Sequence, residues 1–342
     1  MKLLILGGTR FLGRHLAQLA LAHGHEVTLL HRGQSGPALF PQAQHLLADR
    51  NGELSVLDED EWDVAIDTNA YVPRHVLSVA AHLAGRVAQY QLVSSISAYA
   101  ALDTPGTDED DALAELADSR VEAVSGETYG GLKALCEAAA REAFGQQCLV
   151  SRPGLLVGPF DPTGRFTWWL QRLQRGGEVL APGHAGAPVQ FIDARDAAAW
   201  MLRQAETGGD ADDRVFNLTG PATALTLGEF LQTAAQRLSP AADPVRLTWA
   251  DEAFVLRHGV TPWSDLPVWL PQAQQALHQV SISRALRTGL RCRPLADTLA
   301  DTAQWAAGAA ASTTPNTGLP RPPVGLSAER EAALLQAWHA RS

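Results

Sequence analysis

At 342 residues with 46% hydrophobic side chains, the chain is long enough to bury a sizeable core, and its length favours two domains. A formal net charge of −10 gives no electrostatic reason to expect nucleic acid or an anionic membrane as partner, since both want clustered Lys and Arg. Three cysteines, Cys136, Cys148 and Cys292, are too few and odd in number for a disulfide framework, which points to a reducing compartment.

The first predicted element is a short apolar strand from Leu3 to Leu6. It is too short for a signal-peptide core or a membrane span, so a cytoplasmic location is expected. The strand runs into Gly7-Gly8-Thr9-Arg10-Phe11-Leu12-Gly13, and Leu12, Leu16, Leu19 and Ala20 behind it recur at helical spacing. A glycine turn between strand and helix lets the backbone approach a pyrophosphate, with the first helical N–H groups aimed at the anion. Gly7, Thr9, Arg10, Phe11, Leu12 and Gly13 are therefore candidate cofactor contacts. Gly7 and Gly13 are six apart, wider than the common dinucleotide fingerprint, and match a G-x-x-G-x-x-G loop at two of its three glycines, with Arg10 replacing the middle one.

The next helix ends at His23-Gly24-His25, read as a terminating turn; with no other imidazole or thiolate at ligand spacing, no metal site is expected. A second strand, Glu26 to Leu30, ends in His31-Arg32-Gly33, where an NAD-binding chain usually carries an acid for the ribose 2′-hydroxyl. The guanidinium of Arg32, helped by Arg10, would suit a 2′-phosphate, so NADP is preferred over NAD. Further strands are predicted to begin near His45, Val64, Tyr90 and Leu149, with later sheet material near Val189 and Val215 and crossover helices between them. The alternation predicts an α/β fold, a Rossmann-type doubly wound parallel sheet. The acidic stretch Asp108 to Asp111 reads as a solvated loop.

Tyr129-Gly130-Gly131-Leu132-Lys133 follows. On a helix, residues four apart share a face. An ammonium about 5 Å from a phenol, at an effective dielectric of roughly 20, favours the phenolate by about 3 kcal/mol and makes it usable as a general base.

These segments resemble the extended branch of the short-chain dehydrogenase/reductase superfamily, the NAD-dependent epimerase/dehydratase-like proteins, and the resemblance covers most of the chain. Leu92-Val93-Ser94-Ser95-Ile96-Ser97-Ala98-Tyr99 is similar to the strand and turn carrying the family's catalytic Ser or Thr; matching the terminal Tyr places that role on Ser95, with Ser94 and Ser97 as competing choices. The resemblance makes Ser95, Tyr129 and Lys133 the catalytic set and gives Lys133 a bond to the nicotinamide ribose. It has Asp49 and Arg50 read the adenine, puts Thr68, Asn69 and Ala70 under the ribose, and sets Pro153 and Leu155 beside the nicotinamide. Gln190 to Ala198 matches a later strand-to-helix signature. Leu155 stands where nucleotide-sugar enzymes of the branch commonly carry an Asn, so it departs from that subgroup.

The implied activity is an NAD(P)-dependent oxidoreductase acting on a carbonyl or alcohol of a small, relatively apolar substrate. The alternatives are an epimerase or dehydratase holding NAD tightly, and a non-catalytic dinucleotide sensor or RNA-associated relative, since some relatives with a similar Gly-Gly-Thr-Arg-Phe loop associate with RNA. The resemblance also implies a homodimer through helices Arg74 to Leu83 and Tyr129 to Phe144. The expected organisation is a dinucleotide-binding domain of residues 1–159 and 187–216, a mostly helical substrate domain of residues 160–186 and 217–308, and a Pro-rich linker with a terminal helix over 309–342. Trp168, Trp169, Trp249, Trp263 and Trp269 fall in the substrate region and suggest an aromatic, apolar cleft.

Overall fold

The computed structural model describes residues 1–209, 213–308 and 324–341; the expected linker at 309–323 lies outside the described residues. Strands β1 (Lys2–Leu6), β2 (Glu26–His31), β3 (Gln44–Leu47), β4 (Val64–Asp67), β5 (Gln89–Val93) and β6 (Cys148–Pro153) form most of one sheet. Four short strands, β7 (Leu155–Val157), β8 (Glu178–Pro182), β9 (Pro188–Val189) and β10 (Phe191–Asp193), precede β11 (Val215–Leu218), which completes it; β12 (Leu225–Thr226) and β13 (Arg246–Ala250) follow. The order is β11-β6-β5-β4-β1-β2-β3, and every pairing is parallel. The chain reverses direction across the sheet between β1 and β4, the switch point where open α/β sheets bind ligands at their carboxyl ends.

Both faces of the sheet are covered. Leu3 and Ile5 point into one apolar cluster with α1 (Phe11–Ala22), while Leu4 and Leu6 point into another with α2 (Pro73–Leu83) and α3 (Tyr129–Phe144). This period-two division of a continuous apolar strand marks a sheet buried on both sides. The α5 helix (Ala194–Thr207) shares the face of α1.

A third cluster gathers α4 (Arg165–Gln174), β8, α6 (Leu227–Leu238), α7 (Glu252–Arg257) and α9 (Leu295–Gly308). A short helix, α8 (Ser283–Arg287), lies between the last two in sequence. The terminal helix α10 (Ala328–His339) joins this core through Leu334 and Leu335, with Ser327 accepting the Arg330 N–H as N-cap. Val189 lies outside the central sheet, in the two-residue β9 paired antiparallel with β12. Trp169 and Trp269 are fully buried in the third core, and Trp168 and Trp249 pack against it. Two of the five tryptophans of the substrate region thus build the core, and two more pack against it with part of their surface open.

Beneath the sheet's carboxyl edge, Asp67 is fully buried and receives both Arg50 Nη groups at 2.9 and 2.6 Å, the Tyr90 hydroxyl at 2.9 Å and the Asn69 N–H at 3.1 Å. Burial pushes its carboxyl pKa up, but the Arg50 charge and these bonds outweigh burial and hold it below the usual range. A depressed native pKa contributes stability that is present above the unfolded value of about 3.9 and lost as pH falls through the native one. The expected result is thermal stability that declines below about pH 4, with the gap between wild type and Asp67→Asn narrowing there. Melting curves from neutral to acid pH that stay parallel for the two proteins would contradict it.

Candidate active site

The glycine turn leaves β1 with Gly7 and Gly8 at φ of +113° and +81°, where a side chain would be strained. The Thr68 hydroxyl, just past β4, donates to Leu6 O at 2.8 Å and fills the space in front of Gly7 and Gly13. A Cβ on Gly13 would lie 2.7 Å from the Gly8 nitrogen, and one on Gly8 would lie 2.6 Å from a Leu29 methyl. Gly8 therefore belongs with the candidate residues; its signal in the sequence was only its place in the Gly-Gly pair. Arg10 is the N-cap of α1 without a side-chain cap bond, and no acid occupies the first turn. The first N–H groups of α1 thus meet no capping side chain or acid of the helix itself, which is what a diphosphate requires. Phe11, held at φ +36°, and Leu12 are buried, and the buried Thr9 hydroxyl sits 3.2 Å from Ser35 Oγ. These residues fit a bound dinucleotide.

At the end of β2, His31 is committed to the protein. The Gly33 N–H donates to its Nδ1 at 3.0 Å, and its Nε2 lies 2.8 Å from His45 Nδ1. His45 Nε2 must donate to the Phe40 carbonyl at 3.2 Å, so its Nδ1 accepts and His31 Nε2 donates. Burial, then the neighbouring His45, push the His31 pKa down, consistent with a neutral relay. Arg32 is half exposed, 3.9 Å from Asp49 Oδ2. The other oxygen of Asp49 receives the backbone and side-chain amides of Asn51, both at 2.9 Å.

Arg50 differs from its expected adenine-reading place. Its guanidinium is buried, spent on Asp67, on Asn69 Oδ1 and, at 2.9 Å, on the His75 carbonyl. Sequence adjacency to Asp49 could not reveal Asp67 as its partner.

The structure brings the three candidate catalytic residues to one edge. Ser94 extends β5 by donating to Ser151 O at 2.7 Å, and its hydroxyl donates to Glu137 at 2.6 Å. Ser97 is exposed. Ser95 is partly exposed, and its Oγ accepts the Ser97 N–H at 3.1 Å as it caps the 3-10 turn Ile96–Ala98, which leaves its own proton to donate. Tyr129 opens α3, whose second residue, Gly130, lies so close to the Ser97 carbonyl that a Cβ would collide with it. Gly130 is thus a packing requirement that seats the helix on the Ser95 turn, while Gly131 makes room for the Leu116 side chain.

Lys133 is buried, and its Nζ donates to Ala70 O and Val93 O, each at 2.7 Å, tying α3 to the ends of β4 and β5. Burial lowers its pKa, opposed by Cys136, Tyr71 and acidic neighbours. Tyr71 is not among the expected site residues, yet its ring lies 5.7 Å from Lys133 Nζ and 6.5 Å from the Tyr129 ring.

A buried network underlies the edge. Arg152 donates from Nε and Nη2 to the two oxygens of Glu137 at 2.9 and 2.8 Å, and Arg141 adds a third bond at 2.9 Å. The stretch 108–111 is not wholly a solvated loop as expected: Glu109 is buried, accepting the Asn217 N–H at 2.8 Å with Arg284 3.5 Å away, because β11 needs a partner for that amide. Pro153 ends β6, and Leu155 starts β7 against Phe191. Asp193 caps α5 and receives Arg195 at 2.9 and 2.7 Å and Thr298 at 2.8 Å, so the Gln190 to Ala198 signature docks α5 to α9. A cleft of about 350 Å³ beside it, bounded by Phe191, Asp196, Pro221, Cys292 and Leu295, includes none of Ser95, Tyr129 or Lys133.

A parallel sheet with a glycine turn at its switch point and a Ser, Tyr and Lys edge defines a dinucleotide-binding enzyme architecture. The chain matches the NAD dependent epimerase/dehydratase family over residues 3–91 and 61–219, and it belongs to that family of enzymes. It is 26% identical over 236 residues to the chloroplast stem-loop binding protein of 41 kDa b from Arabidopsis thaliana, a match covering 64% of this chain and 58% of that protein. Among solved structures, a putative epimerase from Burkholderia cenocepacia J2315 is similar at a TM-score of 0.67 and 19% identity, covering 90% of this chain and 98% of the other. UDP-glucuronic acid 4-epimerase from Bacillus cereus, in complex with NAD, gives 0.63 at 16% identity, covering 89% and 96%. At these identities the likeness is one of fold. No helix among the described residues is long and apolar enough to cross a membrane.

Proposed function

We propose that the protein is an NAD(P)-dependent oxidoreductase that interconverts a carbonyl and an alcohol on a small, relatively apolar substrate. The observation that carries this reading is the seating of the Tyr129 helix on the Ser95 turn at the carboxyl edge of the sheet that also bears the glycine turn. When bound, the nicotinamide supplies the hydride acceptor or donor. Ser95 donates a hydrogen bond to the substrate oxygen, keeping its proton, and fixes that oxygen against Tyr129. Tyr129 gives its phenolic proton to the forming alkoxide, or removes it in the oxidative direction. Lys133 adds positive charge to this edge and holds α3 in register.

The substrate class rests on Leu155, an apolar residue at the start of β7, since four of the five tryptophans lie in or against the third core. The family supports a second reading, an epimerase or dehydratase in which the cofactor is not consumed. Incubation with a panel of carbonyl compounds and reduced cofactor separates them: net loss of nicotinamide absorbance supports the reductase, while product formation at constant absorbance overturns it for the epimerase. The stem-loop binding named for the Arabidopsis relative gives an RNA reading its footing, against which stands the net charge of −10.

NADP is the proposed preference, because His31-Arg32-Gly33 at the end of β2 contains a guanidinium and no acid, the Asp49 carboxylate 3.9 Å from Arg32 being supplied from beyond β3. Arg32→Glu is expected to weaken NADPH binding by about 10- to 100-fold, the scale of one charge-assisted bond, and to favour NADH. Unchanged NADPH affinity by fluorescence titration would remove Arg32 from the 2′-phosphate site. A homodimer through α2 and α3 is also proposed, with Leu77, half exposed on α2, as an apolar contact.

A further inference from the structure

We propose that His23, His25 and Glu206 form a divalent transition-metal site that clips the end of α1 to the end of α5. The local sequence presents both imidazoles on a defined turn. The Gly24 N–H bonds Leu21 O at 3.0 Å and the His25 N–H bonds Ala20 O at 3.1 Å, with Gly24 at φ +80°, the pattern of a helix stop built on a left-handed glycine. One histidine therefore stands on each side of that glycine. Glu206 lies in the last turn of α5, which packs on α1 across the same face of the sheet.

Three potential ligands from two distant parts of the chain converge there. His23 Nδ1 and His25 Nε2 each lie 2.9 Å from the same oxygen, Glu206 Oε1, and the three donor atoms are all within 4.8 Å of one another. With metal–ligand bonds of about 2.1 Å, the edge of a tetrahedral site is about 3.4 Å. The two nitrogen–oxygen separations of 2.9 Å are a little shorter than that value and no pair exceeds 4.8 Å, so small side-chain rotations suffice to place an ion between the ring nitrogens and the carboxylate. His23 and Glu206 are partly open to solvent, with 47% and 33% of their side chains exposed, which leaves room for a water as fourth ligand. Two imidazoles and one carboxylate suit Zn²⁺, and also Co²⁺ and Ni²⁺.

The site is separate from the dinucleotide turn. Twelve residues of α1, about 18 Å at the rise of an α-helix, lie between them. A clip here would fix the far end of the helix whose first N–H groups face the glycine turn.

The test is titration of the metal-free chain with Zn²⁺ by calorimetry, with Co²⁺ as a spectroscopic probe of coordination. Uptake of one Zn²⁺ per chain is expected, with a raised unfolding midpoint in the presence of zinc. His23→Ala, His25→Ala and Glu206→Ala should each weaken binding by at least about tenfold and remove the thermal shift, with far-UV circular dichroism unchanged. No uptake at micromolar zinc would overturn the proposal. So would equal uptake by the triple variant, which would assign the metal to other histidines.

Discussion

Tyr129→Phe is expected to lower kcat by about 10²- to 10⁴-fold, the usual worth of a positioned proton donor, while dinucleotide binding stays at the wild-type level. The substitution removes a single oxygen. The ring keeps its place beside Tyr71, 6.5 Å between centroids, and Gly130 still seats the first turn of α3 on the Ser97 carbonyl. The glycine turn after β1 packs on Thr68 and Leu29, and neither this packing nor the Thr68 bond to the Leu6 carbonyl involves the phenol of Tyr129. Loss of turnover with retained binding therefore separates proton transfer from architecture. Steady-state kinetics alongside cofactor titration reads both quantities, and wild-type turnover in the variant would remove Tyr129 as the proton donor.

Glu137→Ala is expected to destabilise the protein by about 3–5 kcal/mol, because it strands a buried guanidinium. Arg152 has 2% of its side chain exposed and Glu137 none, and Glu137 also takes the Ser94 hydroxyl and Arg141. The Coulomb energy of the intact pair is largely offset by the cost of removing both charges from water. Breaking the pair is therefore costly, whereas replacing both partners by apolar groups of similar volume costs less. The double variant Glu137→Met with Arg152→Met should accordingly unfold at higher denaturant concentration than Glu137→Ala. A double-mutant cycle giving purely additive losses would show that the two side chains are not energetically coupled. Since Ser94 precedes Ser95 and bonds Glu137, the single variant is also expected to lose turnover beyond its loss of stability.

The central sheet was legible because its strands carry local signals. Apolar runs at Leu3, Glu26, Val64 and Leu149, each bounded by turn residues, correspond to β1, β2, β4 and β6, and the periodicity behind Tyr129 delivers a helix ending at Phe144. The glycine turn was legible for the same reason: its spacing follows from backbone conformation, a property of neighbours in the chain. Misplaced expectations involve partners far apart in sequence. Arg50 looked like a cofactor contact until Asp67, 17 residues on, claimed its guanidinium. Glu109 read as solvated although an amide 108 residues away bonds it, and the tryptophans of the substrate region could not declare from composition which core they fill.

By itself, then, the order of residues determined most of the central sheet and the glycine turn, because periodicity and glycine placement act over a few neighbouring residues, and the family resemblance of its short motifs supplied the candidate trio Ser95, Tyr129 and Lys133. The tertiary structure alone decided which charges are spent internally, that Ser94 spends its hydroxyl proton on Glu137, and that Glu206 meets His23 and His25 from more than 180 residues away. Those outcomes depend on packing and desolvation, which exist only once distant segments share a common interior.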